Sequence, residues 1–351
     1  MSKNERIVVV LFNLGGPDNP EAIKPFLYNL FADPAIIQIP APFRQILAKI
    51  ISAKRAPIAE KIYEEIGGKS PILEETKKQE KALEKKLSKF GDYKVFTVMR
   101  YWHPFSKQVA QKVKNYNPTK IILLPLYPQF STTTSASSFK DWYKAAKSVG
   151  LNTQTTSCCC YGNHEKFIEA HTQTIKPILL KAQKNGPVRV LFSAHGLPQK
   201  IVDKGDPYAT QVYDTANKTT LKLEAELGIE QLDQRVCFQS RVGPLKWLSP
   251  SLDEEIDNAI ADSVGIVVVP IAFVSEHSET LVELDIEYKH LAIDKKIKQY
   301  VRVPTLSTNK MFINCLSDVV LSAVTKNQTK TCGNAICLCE KSGGENVCMN
   351  F

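Results

Sequence analysis

Short, nearly continuous apolar runs alternate along the chain with longer stretches in which apolar positions recur every three to four residues. The runs Ile7 to Asn13, Lys94 to Arg100, Ile121 to Leu126, Val188 to Ser193, Arg235 to Arg241 and Ile266 to Ile271 are rich in β-branched residues. That is the pattern of parallel strands buried on both faces. Between them, Glu74 to Phe90, Ser106 to Asn115, Tyr208 to Leu227 and Leu252 to Ala261 keep a helical period, and a last helix is expected over Lys310 to Thr325. Strands alternating with helices predict an α/β chain of doubly wound parallel sheets.

The order also repeats. Ile7 to Asn13, followed by Gly15-Gly16-Pro17, has a counterpart in Val188 to Ser193, followed by His195-Gly196-Leu197-Pro198. Lys94 to Arg100 before Trp102-His103-Pro104 matches Arg235 to Arg241 before Val242-Gly243-Pro244, and Ile121 to Leu126 matches Ile266 to Ile271. Two copies of one αβ unit are expected, a period too long for a solenoid. The predicted organisation is a first domain over 1–155, a second over 156–305, a helix over 306–330 packing back on the first, and a Cys-rich tail over 331–351. Such sheets bind ligands beyond the carboxyl ends of their strands, here the segments around Asn13, Arg100, Gln129, His195, Ser240 and Glu276.

Composition narrows the function. With 351 residues, 43% of them hydrophobic, the chain can build a sizeable core. Its net charge of +9 invites nucleic acid or an anionic membrane surface, but no zinc finger, helix-turn-helix or RNP-type motif accompanies it, so no nucleic-acid partner is expected. No apolar stretch reaches the roughly 18–20 residues that span a bilayer, and no secretory signal is visible. A cytoplasmic protein is expected, with peripheral contact at the inner face of the membrane. Nine cysteines in a reducing compartment point to thiolate metal ligation before disulfides. G-x-G-x-x-G is absent, and Gly68-Lys69-Ser70 ends like a Walker motif but has Tyr63 where the upstream glycine is required. Ser193-Ala194-His195-Gly196 is not a nucleophile elbow.

Three features carry chemistry. A lone histidine after a strand is more often structural, yet His195 stands at a carboxyl end, where sheet topology puts sites. Read at 100° per residue, Glu276, Glu279, Glu283 and Glu287 form one stripe beside His277, with Leu281, Leu284, Tyr288 and Leu291 opposite. Like charges four apart cost a helix roughly 0.2–0.5 kcal/mol per pair. In a cleft, repulsion and burial would raise these carboxyl pKa values and suit the row to accept protons or relay a hard cation. The apolar stretch Phe26 to Ile51, broken by Pro34, Pro40 and Pro42, reads either as short core helices or as an exposed lip edged by Arg44, Lys49, Lys54 and Arg55.

Six segments in register resemble the ferrochelatase family: Asn13-Leu14-Gly15-Gly16-Pro17, Ile66 to Pro71, Arg100 to Pro104, Ser193 to Pro198, Gln239 to Pro244 and Glu276 to Tyr288. The resemblance runs from about residue 6 to about 325. It implies insertion of Fe2+ into protoporphyrin IX as the last step of haem synthesis, by two similar flavodoxin-like, chelatase-type domains with the porphyrin in the cleft between them. By the same resemblance His195 and Glu279 are the paired catalytic residues and iron contacts, with His277 beside them. Glu283 and Glu287 extend the proton or metal relay. Asn13, Leu14, Tyr63, Arg100 and Tyr101 are implied on the porphyrin side, Arg55 and Ser70 at the propionates, and Phe238 as an aromatic wall where relatives often have tryptophan. The lip over 26–51 becomes a membrane contact. A tetrapyrrole carrier and a cobalt chelatase are the competing readings.

Some members of the family bind a [2Fe-2S] cluster through one mid-chain and three late cysteines. Cys332, Cys337, Cys339 and Cys348 follow C-x4-C-x-C-x8-C, and Cys158, Cys159 and Cys160 form a run. The preferred set is Cys158, or a neighbour in its run, with Cys332, Cys337 and Cys339; Cys348 is an alternative. A structural zinc site or a thiol-rich tail without metal would use the same residues otherwise.

Overall fold

In the computed structural model, which describes residues 5–241, 243–326 and 328–333, each of the six apolar runs becomes a parallel strand. Backbone contacts divide the chain into a unit of residues 5–159 and 316–333 and a unit of residues 160–315.

The first unit runs β1 (Arg6–Asn13), α1 (Ile23–Phe31), α2 (Ala41–Glu64), α3 (Ile72–Leu87), β2 (Asp92–Met99), α4 (Ser106–Tyr116), β3 (Lys120–Pro125), α5 (Ser135–Ser148) and β4 (Thr155–Cys158). The second runs α6 (Glu165–Gln183), β5 (Val188–His195), α7 (Gln199–Asp203), α8 (Tyr208–Leu227), β6 (Gln234–Gln239), α9 (Leu252–Ala261), β7 (Gly265–Pro270), α10 (Tyr288–Asp294) and β8 (Tyr300–Arg302). Helix α11 (Lys310–Thr325) then leads to β9 (Lys330–Thr331). The sheets are ordered β2-β1-β3-β4-β9 and β6-β5-β7-β8, all parallel. Taken from their first strands, both follow the 2-1-3-4 order of a flavodoxin-like winding, which is the physical content of the sequence repeat.

The central strands explain why the runs are continuous. Val10 pairs with Phe96 on one side and Leu123 on the other, and Ile7 to Phe12 are all buried. Phe12 meets Phe139 and Trp142 edge-on at 5.9 and 6.0 Å. In the second unit Phe192 pairs with Val236 and Val269 inside a core shared with Leu179, Val212 and Leu223. Local signals set the helix ends: Ser251 and Glu254 form a reciprocal cap on α9, and α8 stops at Gly228 in the left-handed region.

Helices α5 and α6, like the short α7, lie outside the sequence expectation. In α5 the buried face is largely small and polar, with Ser135, Ser137 and Ser138 beside Phe139 and Trp142, so no apolar period stands out. In α6, His171 and Thr172 face inward and Pro177 interrupts the pattern. The stretch 26–51, read either as short core helices or as an exposed lip, holds most of α1 and the first part of α2, which runs on to Glu64 for 24 residues in all. Pro42 sits in the first turn of α2, where no N–H is needed, and Pro57 is carried inside it.

Candidate active site

Three strand ends of the second unit converge. β5 delivers His195, and Gly196 follows because the chain passes tightly there. A Cβ at 196 would stand 3.0 Å from the Gln239 carbonyl oxygen and 3.3 Å from the Trp247 ring. β6 ends in Gln239, and Ser240 adopts φ of +62°, a conformation non-glycine residues reach at a cost. After β7 the chain enters residues Glu279–Glu287, which form a π-helix rather than the α-helix expected. The Tyr288 N–H bonds the Glu283 carbonyl, five residues back.

His195 Nδ1 lies 2.8 Å from Glu279 Oε2. An ionised carboxylate only accepts, so Nδ1 carries the hydrogen, and in the neutral ring the lone pair is at Nε2. Loss of water opposes a charge on His195, but the Glu279 and Glu283 carboxylates outweigh it and raise the pKa, although the side chain is 41% exposed. Burial also opposes the charge on Glu279, yet His195, His277 and the Ser240 hydroxyl hold it well below the usual carboxylate range. Glu283 goes the other way. Burial and the neighbouring Glu279 charge raise it to about 7, against donors from Ser240 and Gln239.

The expectation that the row would be raised together is therefore corrected: histidine pairing keeps Glu279 ionised, and Glu283 takes the repulsion. Such divergence within a carboxyl pair separates a proton holder from a permanent anion. Glu283 is gripped by the backbone N–H and hydroxyl of Ser240 and, at 3.0 Å, by Gln239 Nε2. The Gln239 amide is itself fixed by the Ser193 hydroxyl at 2.7 Å. Ser193, Gln239 and Ser240 have no individual role in the sequence expectation; their place at strand ends beside His195 is the signal that points to them.

The remaining expected residues divide. His277 is buried, with Nε2 4.0 Å from Glu279 Oε1 and Nδ1 3.0 Å from the Ser275 carbonyl oxygen. Glu287 is exposed and, with Glu283 and Asp253, borders a concavity of about 220 Å³. Glu276 leaves the stripe, because Arg302 binds it at 2.9 and 3.1 Å. Phe238, expected as a wall, is fully buried in the core against Tyr213, since it precedes the strand end by one residue and faces inward. Trp247, bridged to Pro198 and beside Gly196, is the half-buried aromatic residue there and was overlooked.

In the first unit, Asn13 donates to Thr76 Oγ1 and accepts from the Leu14 N–H, while Leu14 and the buried Tyr63 belong to one apolar cluster. Arg100 spends its guanidinium on Asp33 and Ser137, each at 2.8 Å. Tyr101, 1% exposed, donates to the same Asp33 oxygen. Ser70 is buried against Gly16, and Arg55 lies 6.0 Å over the Phe31 ring. Of the stretch 26–51, Phe26 and Leu27 are core, whereas Phe43, Ile46, Leu47 and Ile50 make one exposed face of α2, extended by Ile58. Arg44 is occupied by the Ala32 and Ile39 carbonyls. No helix among the described residues is long and apolar enough to cross a membrane.

The sulfurs of Cys159, Cys160 and Cys332 lie within 4.8 Å of one another. Pairing of β4 with β9 sets this up, the Cys159 N–H bonding the Thr331 carbonyl. Cys158 is not one of the three: burial pushes its thiol up to about 12, and its sulfur accepts from the Thr331 hydroxyl. Cys337 and Cys339, with Cys348, lie outside the described residues.

A family profile described as Ferrochelatase matches residues 6–324. The chain is 54% identical over 316 residues to a Wolbachia sp. subsp. Drosophila simulans protein named Ferrochelatase, covering 90% of this chain and 98% of that one. It is 49% identical over 349 residues to the Ferrochelatase of Rickettsia felis, with 96% and 98% covered. Among solved structures, SirB of Bacillus subtilis with Fe3+ is similar at a TM-score of 0.50 and 11% identity, covering 92% of this chain and 97% of that one. That is a likeness of fold.

Proposed function

The chain belongs to the ferrochelatase family, and from that premise we propose a division of labour for the insertion of Fe2+ into protoporphyrin IX. Metallation removes two protons from pyrrole nitrogens, strips water from iron and needs the nitrogen lone pairs turned toward the ion. His195 accepts a pyrrole proton at Nε2, and Glu279 holds the tautomer and steadies the imidazolium that forms. The observation that carries this is the 2.8 Å contact between His195 Nδ1 and Glu279. Glu283, raised toward neutrality, takes protons onward, and Glu287 at the exposed end meets solvent or hydrated iron. A carrier has no use for a proton acceptor oriented in this way.

His195→Ala abolishes metal insertion, measured by porphyrin absorbance, while protoporphyrin still quenches intrinsic fluorescence on binding. Unchanged turnover would sink the assignment. Assays with Fe2+, Co2+ and Zn2+ separate iron from cobalt chelation. Asn13, Leu14 and Tyr63 shape the porphyrin side, with Arg100 and Tyr101 behind it, and Arg55 and Ser70 serve the propionates.

The thiols fit an iron-sulfur cluster, since three sulfurs already converge. Cys159 or Cys160, in place of Cys158, would hold it with Cys332, together with late cysteines such as Cys337 and Cys339; such a group supplies redox sensitivity or rigidity. The exposed face of α2 with Lys49 and Lys54 is the proposed contact with the inner face of a membrane, for a protein otherwise in the cytoplasm.

A further inference from the structure

Strand β8 holds the π-helix from the side. Tyr300 and Arg302, two apart and so on one face of the strand, both reach it. The Tyr300 hydroxyl donates to the Leu284 carbonyl at 2.6 Å. The Arg302 side chain, 9% exposed, forks onto Asp285 through Nε at 2.7 Å and Nη2 at 2.6 Å. Its Nη1 holds Glu276, whose Oε1 also accepts the Thr305 N–H at 2.9 Å. One guanidinium thus pins the residue before His277 and the second residue after Glu283. His277, Glu279 and Glu283 lie between the pins.

Glu276 and His277 precede the helix, whereas Leu284 and Asp285 lie within it. The clamp therefore ties the irregular entry segment to the body of the π-helix, and Tyr300 takes a carbonyl inside it. Relaxation from i→i+5 to i→i+4 bonding would rotate Asp285 away from the Glu276 side and Glu283 relative to Glu279, and the Arg302 fork opposes it.

We propose that Arg302, assisted by Tyr300, is a positioning residue for metal insertion: it holds residues 279–287 in the π register and so keeps Glu279 on His195 and Glu283 on Ser240. The inference rests on the His195 and Glu279 reading above. Lysine cannot replace the fork, because an ammonium is a single point charge without bidentate geometry.

The test uses the full chain with Arg302→Met, Arg302→Lys and Tyr300→Phe, read by hydrogen exchange and by steady-state kinetics. In Arg302→Met, amides of 279–288 exchange at least about tenfold faster while those of β5 and β7 do not change. Its kcat falls about 10- to 100-fold, the cost expected of a misplacement near 1 Å, with the porphyrin KM within about twofold. Arg302→Lys recovers little of either, and Tyr300→Phe shows the same signs more weakly. If Arg302→Met does not fold, Glu276→Gln and Asp285→Asn each remove one pin and carry the same readouts. Faster exchange with wild-type kcat, unchanged exchange, or full rescue by lysine overturns the proposal. Turnover surviving in His195→Ala would instead strike the site reading, and exchange would still decide the clamp.

Discussion

Ser240 donates to Glu283 from both its backbone N–H and its hydroxyl, so a residue at the end of one strand fixes a carboxyl group on the π-helix. Those donors do not offset burial and the adjacent Glu279 charge, and the Glu283 pKa rises from 4.5 to about 7. The native state then binds this proton more tightly than the unfolded chain. Its contribution is fully present below pH 4.5 and is lost as pH rises through 7. At roughly 1.4 kcal/mol per pH unit, the difference approaches about 3 kcal/mol. Urea midpoints of wild type and Glu283→Gln should diverge between pH 5 and pH 8, with wild type losing stability. His195 is raised in both proteins and largely cancels, and Glu279, depressed by His195, acts only below pH 4.5. Parallel curves would exclude a raised Glu283.

How much of this was legible follows from what each signal measures. Apolar runs report burial on two faces, and they located six parallel strands and, through their repetition, two sheets with one winding order. They also placed His195 at a strand end. The acidic segment was found, but a fixed 100° step put Glu276 in the stripe, where the structure gives it to Arg302. No local pattern announces i→i+5 bonding when the clamp that suits it stands at residue 302. Phe238 shows the same limit at single-residue scale: strand alternation decides whether an aromatic residue is wall or core, and a one-residue error in phase reverses the answer.

Gly16 couples the first strand end to the proposed propionate residue. A Cβ there would lie 2.5 Å from Ser70 Cβ and 2.6 Å from its Oγ, and backbone holds Ser70 in place through its N–H to Pro17 at 2.8 Å. Gly16→Ala should cost about 1–3 kcal/mol, the usual range for overpacking, and raise the porphyrin KM more than it lowers kcat. Gly16→Ala with Ser70→Gly should recover the stability by vacating the clash but not the KM. A Gly16→Ala protein that melts like wild type would show that Ser70 is not held where it is described.

Convergence of Cys159, Cys160 and Cys332 separates the cysteines by role. Anaerobically purified protein should show visible sulfur-to-iron absorbance with bound iron and sulfide. Cys332→Ser should lose it, whereas Cys158→Ser, at a buried thiol tied to Thr331, should keep it. Zinc without sulfide would redirect the site to a structural metal. Loss of the bands in Cys158→Ser with retention in Cys332→Ser would invert the assignment.

Helix α2 carries two apolar stripes for two purposes. Ala48, Ser52, Ala56 and Tyr63 face the core, while Phe43, Ile46 and Ile50 are 67%, 59% and 50% exposed. Aromatic and aliphatic side chains grouped on an exposed face are costly unless something covers them, and Lys49 and Lys54 lie close enough in sequence to meet anionic headgroups. Phe43→Asp with Ile46→Asp should reduce co-sedimentation with phosphatidylserine-containing vesicles by about tenfold or more, given roughly 1.5–3 kcal/mol for each large apolar side chain buried. Thermal stability and detergent-assayed turnover should be unchanged, because neither side chain contributes to the core. Lys49→Glu with Lys54→Glu should weaken binding mainly at low salt, where headgroup attraction is least screened. Equal vesicle binding by the aspartate variant would mean that the face is covered by something other than lipid.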